Sequence, residues 1–260
     1  MIGKKAKTHV EMIISFVIFV GFVIFLFIIL NPFQRPLDST LLDSAFFNIE
    51  EKTNTNISSV SLKLTNTAYN DILNSRKDCF EITGFKEVLE DLFCDESPNI
   101  NRYVIVKNKA GNIVNSWINS ANPTKISIGF SDNQDSDFYT LYCSEEFVTT
   151  KNPLKSCHPL NNGEDIDYVL GTVVERSAIS EIKLRAFEDE YKNNYPALKS
   201  EIVPDINDFS FIVWEVKTNS KVYEGVREIP RTRVDAKTYP ISTLNNQAEI
   251  KKRTMTIKFW

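Results

Sequence analysis

The feature that most constrains this chain is the run from Met12 to Leu30, nineteen residues in which only Ser15 and Gly21 interrupt large apolar side chains. At about 1.5 Å rise per residue, a helix over this run is about 28 Å long, close to the ~30 Å hydrocarbon core of a bilayer. It is apolar on every side, so it offers no stripe for packing on a soluble core. Asn31-Pro32 closes it, because proline disfavours helical geometry in the residue before it. Lys4, Lys5 and Lys7 precede the run. The positive-inside rule therefore predicts a cytoplasmic N-terminus and an external remainder. A secretory signal peptide fits less well. Its apolar core is about 7–15 residues long and ends in a small-x-small cleavage site, whereas Asn-Pro-Phe-Gln-Arg follows here.

Glu11 stands directly before the run, where a carboxylate is costly unless it finds a partner. Taken on position alone it reads as a charge in the headgroup layer. The whole string Gly3-Lys-Lys-Ala-Lys-Thr-His-Val-Glu-Met-Ile-Ile14 resembles the class III leader of archaeal type IV pilin-like proteins, although Ala6 replaces the usual glycine before the cut. The resemblance covers about the first thirty residues. It implies cleavage by a prepilin peptidase between Ala6 and Lys7, with Glu11 then the fifth residue of the mature chain. It also implies assembly with other pilin-like subunits, in which the buried Glu11 carboxylate neutralises the freed α-amino group of a neighbour.

The expected fold class is α+β: a single N-terminal transmembrane helix followed by a sheet-centred extracytoplasmic domain. The expected divisions are a leader (1–6), the membrane helix (7–31), a stalk or amphipathic helix with linker (32–55) and the external domain (56–260). Of 30 basic and 34 acidic residues, three lysines and one glutamate lie in the first thirty positions, leaving 27 against 33 and a net −6 beyond them. Such a balance disfavours nucleic acid or anionic lipid as a ligand of the domain, since both need a basic face. The lipid bilayer is a partner through the apolar run alone.

Cys79, Cys94, Cys143 and Cys157 all follow that run, and none forms a C-x-x-C pair. This argues against a zinc knuckle or a redox-active dithiol. An external location permits disulfides, and sequence proximity favours Cys79–Cys94 and Cys143–Cys157 among three connectivities. Each would close a loop of about 15 residues, worth roughly 3 kcal/mol in the chain-entropy model.

Asp38 or Ser39 caps a predicted helix to about Glu51, with Leu41, Leu42, Ala45, Phe46 and Ile49 on one side. Asparagine and threonine punctuation at residues 54–56 reads as a loop, and Asn56-Ile57-Ser58 is the one glycosylation sequon. Val60, Leu62 and Leu64 alternate as in a strand. Phe85, Val88, Leu89, Leu92 and Phe93 have helical spacing. Tyr103–Val106 and Ile113–Trp117 read as a hairpin with Gly111 in its loop; it resembles hairpins of extracellular PAS-like sensor domains. A strand is expected over 166–174, then a helix presenting Ile179, Ile182, Ala186, Phe187 and Tyr191, with Glu181–Arg185 and Glu188–Lys192 ion pairs. Phe209–Val216 reads as a central strand and Thr254–Trp260 as a last strand with Met255, Ile257 and Phe259 inward.

Catalytic and metal-binding signatures are scarce. His158, beside Cys157, is the only histidine beyond the N-terminal segment, and neighbours in sequence point apart rather than forming a nucleophile pair. No G-x-S-x-G, H-E-x-x-H or P-loop occurs. Acidic clusters at Asp132, Asp135 and Asp137 and at Glu164, Asp165 and Asp167 lack the spacing of a calcium loop. No catalytic residue, metal or cofactor is assigned, and the chain reads as a non-enzyme. Three functions remain: a minor-pilin-like structural subunit, a signal-anchored surface binding or sensor-like module, and an anchored hydrolase, for which no motif speaks.

Overall fold

The computed structural model describes residues 4–29, 39–83, 103–118, 125–130, 137–147, 153–160, 167–204, 208–228 and 234–260. Helix α1 (Lys4–Ile29) is continuous and its described side chains run from Met12 to Phe25. None of these is buried, and Phe16, Ile18 and Phe19 are each about two-thirds exposed. Among the described residues no helix is long and apolar enough to cross a membrane. The transmembrane helix of the expected fold class is thus corrected to a helix that is apolar and uncovered; residues 26–30 of the run lie outside the described side chains.

The remainder is richer in strand than a sheet-centred α+β reading implies. In chain order it contains α2 (Ser39–Thr53), β1 (Asn54–Leu64), α3 (Asn66–Ser75), β2 (Cys79–Thr83), β3 (Val104–Asn108), β4 (Ile113–Val114) and β5 (Ser116–Ile118). There follow β6 (Lys125–Gly129), β7 (Phe138–Cys143), β8 (His158–Leu160), β9 (Tyr168–Leu170), β10 (Val174–Ser180), α4 (Glu181–Asn193) and α5 (Tyr195–Ile202). The chain closes with β11 (Phe209–Glu215), β12 (Ser220–Gly225), β13 (Asp235–Leu244) and β14 (Ile250–Phe259). Ten strands form one sheet in the order β12-β11-β14-β13-β10-β1-β7-β3-β4, with β9 also on β1; four form a second, β5-β6-β2-β8.

Two separate cores result. At the β11–β14 end, α2, α4 and α5 cover the sheet. Leu42, Ile49, Leu184, Phe187 and Leu198 meet Phe211, Val213, Met255 and Ile257 there. At the other end the second sheet takes the place of the helices. Val60, Leu62, Leu64, Val106 and Leu141 pack against Phe80, Ile82, Ile126 and Ile128, with Ala68 and Ile72 of α3. A smaller cluster, Ile57, Ile105, Phe147, Ala178 and Leu244, contains residues of opposite parity on β1, β3 and β10, so it lies on the reverse face of the large sheet.

Several expectations shift by position. Asn54–Asn56 is the start of β1, not a loop. The predicted strand at 113–117 breaks at Asn115, whose carbonyl accepts from Gly129 N at 2.7 Å. Its second half, β5, joins the other sheet. The 166–174 strand breaks at Gly171, where an added Cβ would lie 2.2 Å from the Ser61 hydroxyl. Ile179 belongs to β10, and α4 buries Leu184, Phe187 and Tyr191, leaving Ile182 46 % exposed. The 85–93 helix falls outside the described residues.

Helix α2 is fastened to this body at several points. Asn48 Nδ2 donates to the Ile202 carbonyl at 2.9 Å, and Lys52 bridges Glu190 at 3.0 Å and Glu201 at 2.6 Å. Phe46 stacks on Tyr239 with centroids 4.2 Å apart. Lys237 and the Tyr239 hydroxyl both donate to Asp43, at 2.6 and 2.8 Å. Those hydrogen bonds, Lys237 first and Tyr239 second, hold the Asp43 carboxyl below its ordinary value. A lowered folded-state value favours docking above the unfolded pKa of about 3.9 and is lost as pH falls through the folded value. Tyr239→Phe keeps the ring stack and should raise the Asp43 midpoint in a carboxyl NMR titration. An unchanged midpoint would show that Lys237 alone sets it.

Candidate functional site

Ala6, Lys7 and Glu11 all fall within α1, and their side chains lie outside the described ones. What the structure adds is their setting: they open a helix in which none of the next fourteen residues is buried. Apolar surface of this extent on a folded chain marks a place of association.

Between the two cores, on the same face of the large sheet, β1 changes character. Its even-numbered residues Val60, Leu62 and Leu64 are buried and apolar, while Asn54 and Asn56 are polar and less covered. Here a cleft of about 390 Å³ opens, lined in part by Glu51, Asn56, Ser144, Glu145, Glu175 and Lys183. It exists because β7 pairs with β1 no further than Cys143↔Ser58, while β10 accompanies β1 to Asn54↔Ile179. The open flank of β1 is closed by side chains. Ser144 Oγ donates to the Asn56 carbonyl at 2.8 Å and Lys183 Nζ to the Asn54 carbonyl at 2.8 Å.

Lys183 also lies 3.5 Å from Glu146, one of two buried charged side chains among the described residues. The other Glu146 oxygen accepts from Ser180 Oγ at 2.5 Å. Ser180 is the N-cap of α4 and accepts in turn from Lys183 N at 3.0 Å. A hydroxyl that both donates and accepts, beside the positive end of a helix, makes a buried carboxylate tolerable. Ser180 is fully buried and so is not available as a nucleophile. The second buried charge, Arg253, sits between Glu181 at 2.8 Å and Glu215 at 3.3 Å. That pairing displaces the expected Glu181–Arg185 contact, whereas Glu188–Lys192 forms at 2.7 Å.

The glycosylation candidate Asn56 is an exposed residue of the cleft, although Ser58 of its sequon is buried at 4 %. Among the described residues no group of three or more potential ligand side chains could hold a metal; Asp132, Asp135, Glu164 and Asp165 lie outside them. The cleft was not legible in the sequence. Its residues come from α2, β1, the turn after β7, β10 and α4, and no local pattern unites them.

The expected disulfide pairing is corrected. Cys79 bonds Cys157, 78 residues away, with Cα atoms 4.7 Å apart. Sheet register decides this: β2 and β8 run parallel with Phe80 opposite His158, so the preceding cysteines are neighbours. Cys143 lies in the other sheet and is itself disulfide-bonded; Cys94 is outside the described residues. With Cys157 oxidised, the Cys-His pair is chemically unavailable.

No family model, no curated protein and no solved structure matches this chain.

The bridge closes a far longer loop than the expected one, worth about 4.5 kcal/mol in the chain-entropy model. Cys157→Ser should lower unfolding stability by roughly that amount in urea titrations under oxidising conditions. A loss under 1 kcal/mol would mean that the parallel β2–β8 pairing alone holds the two strands.

Proposed function

We propose that the chain is a membrane-anchored cell-surface protein of the pilin-like kind, a subunit that assembles through α1 and displays its two-sheet domain outside the cell. The observation that carries this reading is the uncovered apolar surface of α1, directly preceded by Glu11 and by a short lysine-rich leader. An apolar helix left in water is unfavourable by roughly 25 cal/mol per Å² of apolar surface. Lipid covers it before assembly and like helices cover it afterwards. A prepilin peptidase cuts between Ala6 and Lys7 on the cytoplasmic face, exposing an amine that the Glu11 carboxylate of a neighbouring subunit neutralises. Neither mutual burial nor membrane depth suits an unpaired carboxylate, which is why leader, cut and Glu11 act together.

Mass spectrometry of the N-terminus of membrane-extracted protein should find a chain beginning at Lys7. An intact Met1 start would replace this reading with that of a signal-anchored binding module which stays in the membrane. Glu11→Ala should leave membrane extraction behaviour unchanged while reducing recovery in sheared surface filaments at least tenfold. Undiminished filament incorporation of that variant would remove the role given to Glu11.

A further inference from the structure

The helix layer and the second sheet both pack on one side of the large sheet. Its reverse face is built from the alternate residues of the same strands, and Lys63, Val174, Arg176, Thr238, Pro240 and Lys252 are exposed there. Charge is divided unevenly between the two sides. On the reverse face the strands place Lys63, Lys107, Arg176, Lys221, Lys252 and Lys258 beside one acidic residue, Glu224, which Lys221 takes at 2.9 Å. Among the described residues the other basic groups have no carboxylate partner. Lys107 donates to the Ala248 carbonyl at 3.2 Å and Lys252 to the Ser242 hydroxyl at 3.1 Å. The carboxylates Glu51, Glu145 and Glu175 stand on the opposite side, around the cleft. The acidic balance of the chain beyond residue 30 therefore conceals a basic face.

The cations on this face are widely spaced. Lys252 and Lys258 lie six residues apart on β14, as do Lys63 and Ile57 on β1, where Ile57 is the residue opposite Arg176. At the rise of a strand each interval is about 20 Å. Thr254 and Thr256 lie between the two β14 lysines, with Thr238 and Ser242 of β13 alongside, so hydroxyls fill the gap. This spacing selects among polyanions. Duplex nucleic acid carries one charge per about 1.7 Å, far denser than the array. Single strands stack their bases on open rings, whereas Trp214 and Tyr142 have Lys221 and Lys107 over them, at 6.0 and 5.7 Å. A bilayer is planar, and a ten-stranded sheet twists by roughly 20° per strand, so few of these cations share one plane.

We infer that the reverse face of the large sheet binds an acidic polysaccharide, a linear polymer able to follow the twist. Its carboxylates meet Lys63, Arg176, Lys252 and Lys258, and its hydroxyls meet the threonines between them. The surface belongs to the domain and is independent of α1, of leader cleavage and of assembly.

Polygalacturonate is the probe, with dextran as its uncharged counterpart. The full chain in phosphatidylcholine nanodiscs should bind immobilised polygalacturonate saturably in biolayer interferometry, and dextran at least tenfold more weakly. Affinity should fall as salt rises, because exposed charges are screened. Lys252→Gln with Lys258→Gln removes two charges and should weaken binding at least fivefold. Lys63→Gln with Arg176→Gln should do the same, so a folding defect in one pair leaves the other to decide. Lys192→Gln with Lys199→Gln, on the helix layer, should change affinity less than twofold. The inference is overturned by absence of saturable binding, by equal affinity for dextran, or by equal loss in the helix-layer pair. Tighter binding of a thymidine oligonucleotide or of phosphatidylglycerol vesicles than of polygalacturonate would overturn it as well.

Discussion

The two halves of the domain are joined through β1, and its backbone hydrogen bonding is the constraint on which the arrangement depends. The strand pairs with β10 over Asn54–Ser59, with β7 over Ser58–Lys63 and with β9 over Leu62–Leu64. Beyond it, β10 touches the helix-covered strands only through two parallel pairs, Ile179↔Thr243 and Ser180↔Leu244. Side-chain alternation adds a second constraint. The even residues Val60, Leu62 and Leu64 enter the core under the second sheet, while Ile57 enters the reverse-face cluster. A one-residue slip would turn each set to the wrong face, so the register is fixed by burial on both sides at once.

The N-terminus of α4 is where this frame is secured electrostatically. Within four residues, Ser180 caps the helix and binds Glu146, Glu181 takes Arg253, and Lys183 reaches both Glu146 and β1. Both buried charges among the described residues are therefore paired at one helix end. Desolvation makes such pairs weak contributors to net stability, yet removing one partner strands the other at a cost of about 3–5 kcal/mol. Their value here is positional. The turn after β7, the helix layer and β14 can take only the placement that leaves no carboxylate alone.

What the sequence disclosed follows from how local each signal is. The alternation of Met255, Ile257 and Phe259, the apolar block at Phe209 and the Gly111 hairpin all depend on neighbours in sequence, and all recur in the fold. Gly111 adopts φ +83° as its turn requires. Asn54–Asn56 misled because turn-forming composition was outweighed by pairing with β10, a partner more than a hundred residues distant. The phase of α4 misled because β10 continues to Ser180, so Ile179 belongs to a strand and helical counting begins late. The cysteines misled for the same reason: proximity in sequence suggested short loops, whereas register between β2 and β8 set the bond. Of the candidate sites, Ala6, Lys7 and Glu11 lie within six residues, so a local pattern can name them; the cleft is made by strands parting company, which no single segment records.

That parting also bears on the proposed assembly. An open strand flank is a template for pairing with another chain, and exposed carbonyls at Asn54 and Asn56 would supply it. Both are occupied, one by the Lys183 ammonium and one by the Ser144 hydroxyl. Polar side chains thus satisfy the acceptors without extending the sheet, and Glu51, Glu145 and Glu175 surround the notch with negative charge. In the proposed assembly this matters because α1 presents a large apolar surface that concentrates subunits side by side. Crowded domains with an uncapped β1 would have two competing modes of contact, helix with helix and strand with strand. Under that proposal, closing the flank leaves the helix as the one adhesive element and directs association to the segment that holds Glu11.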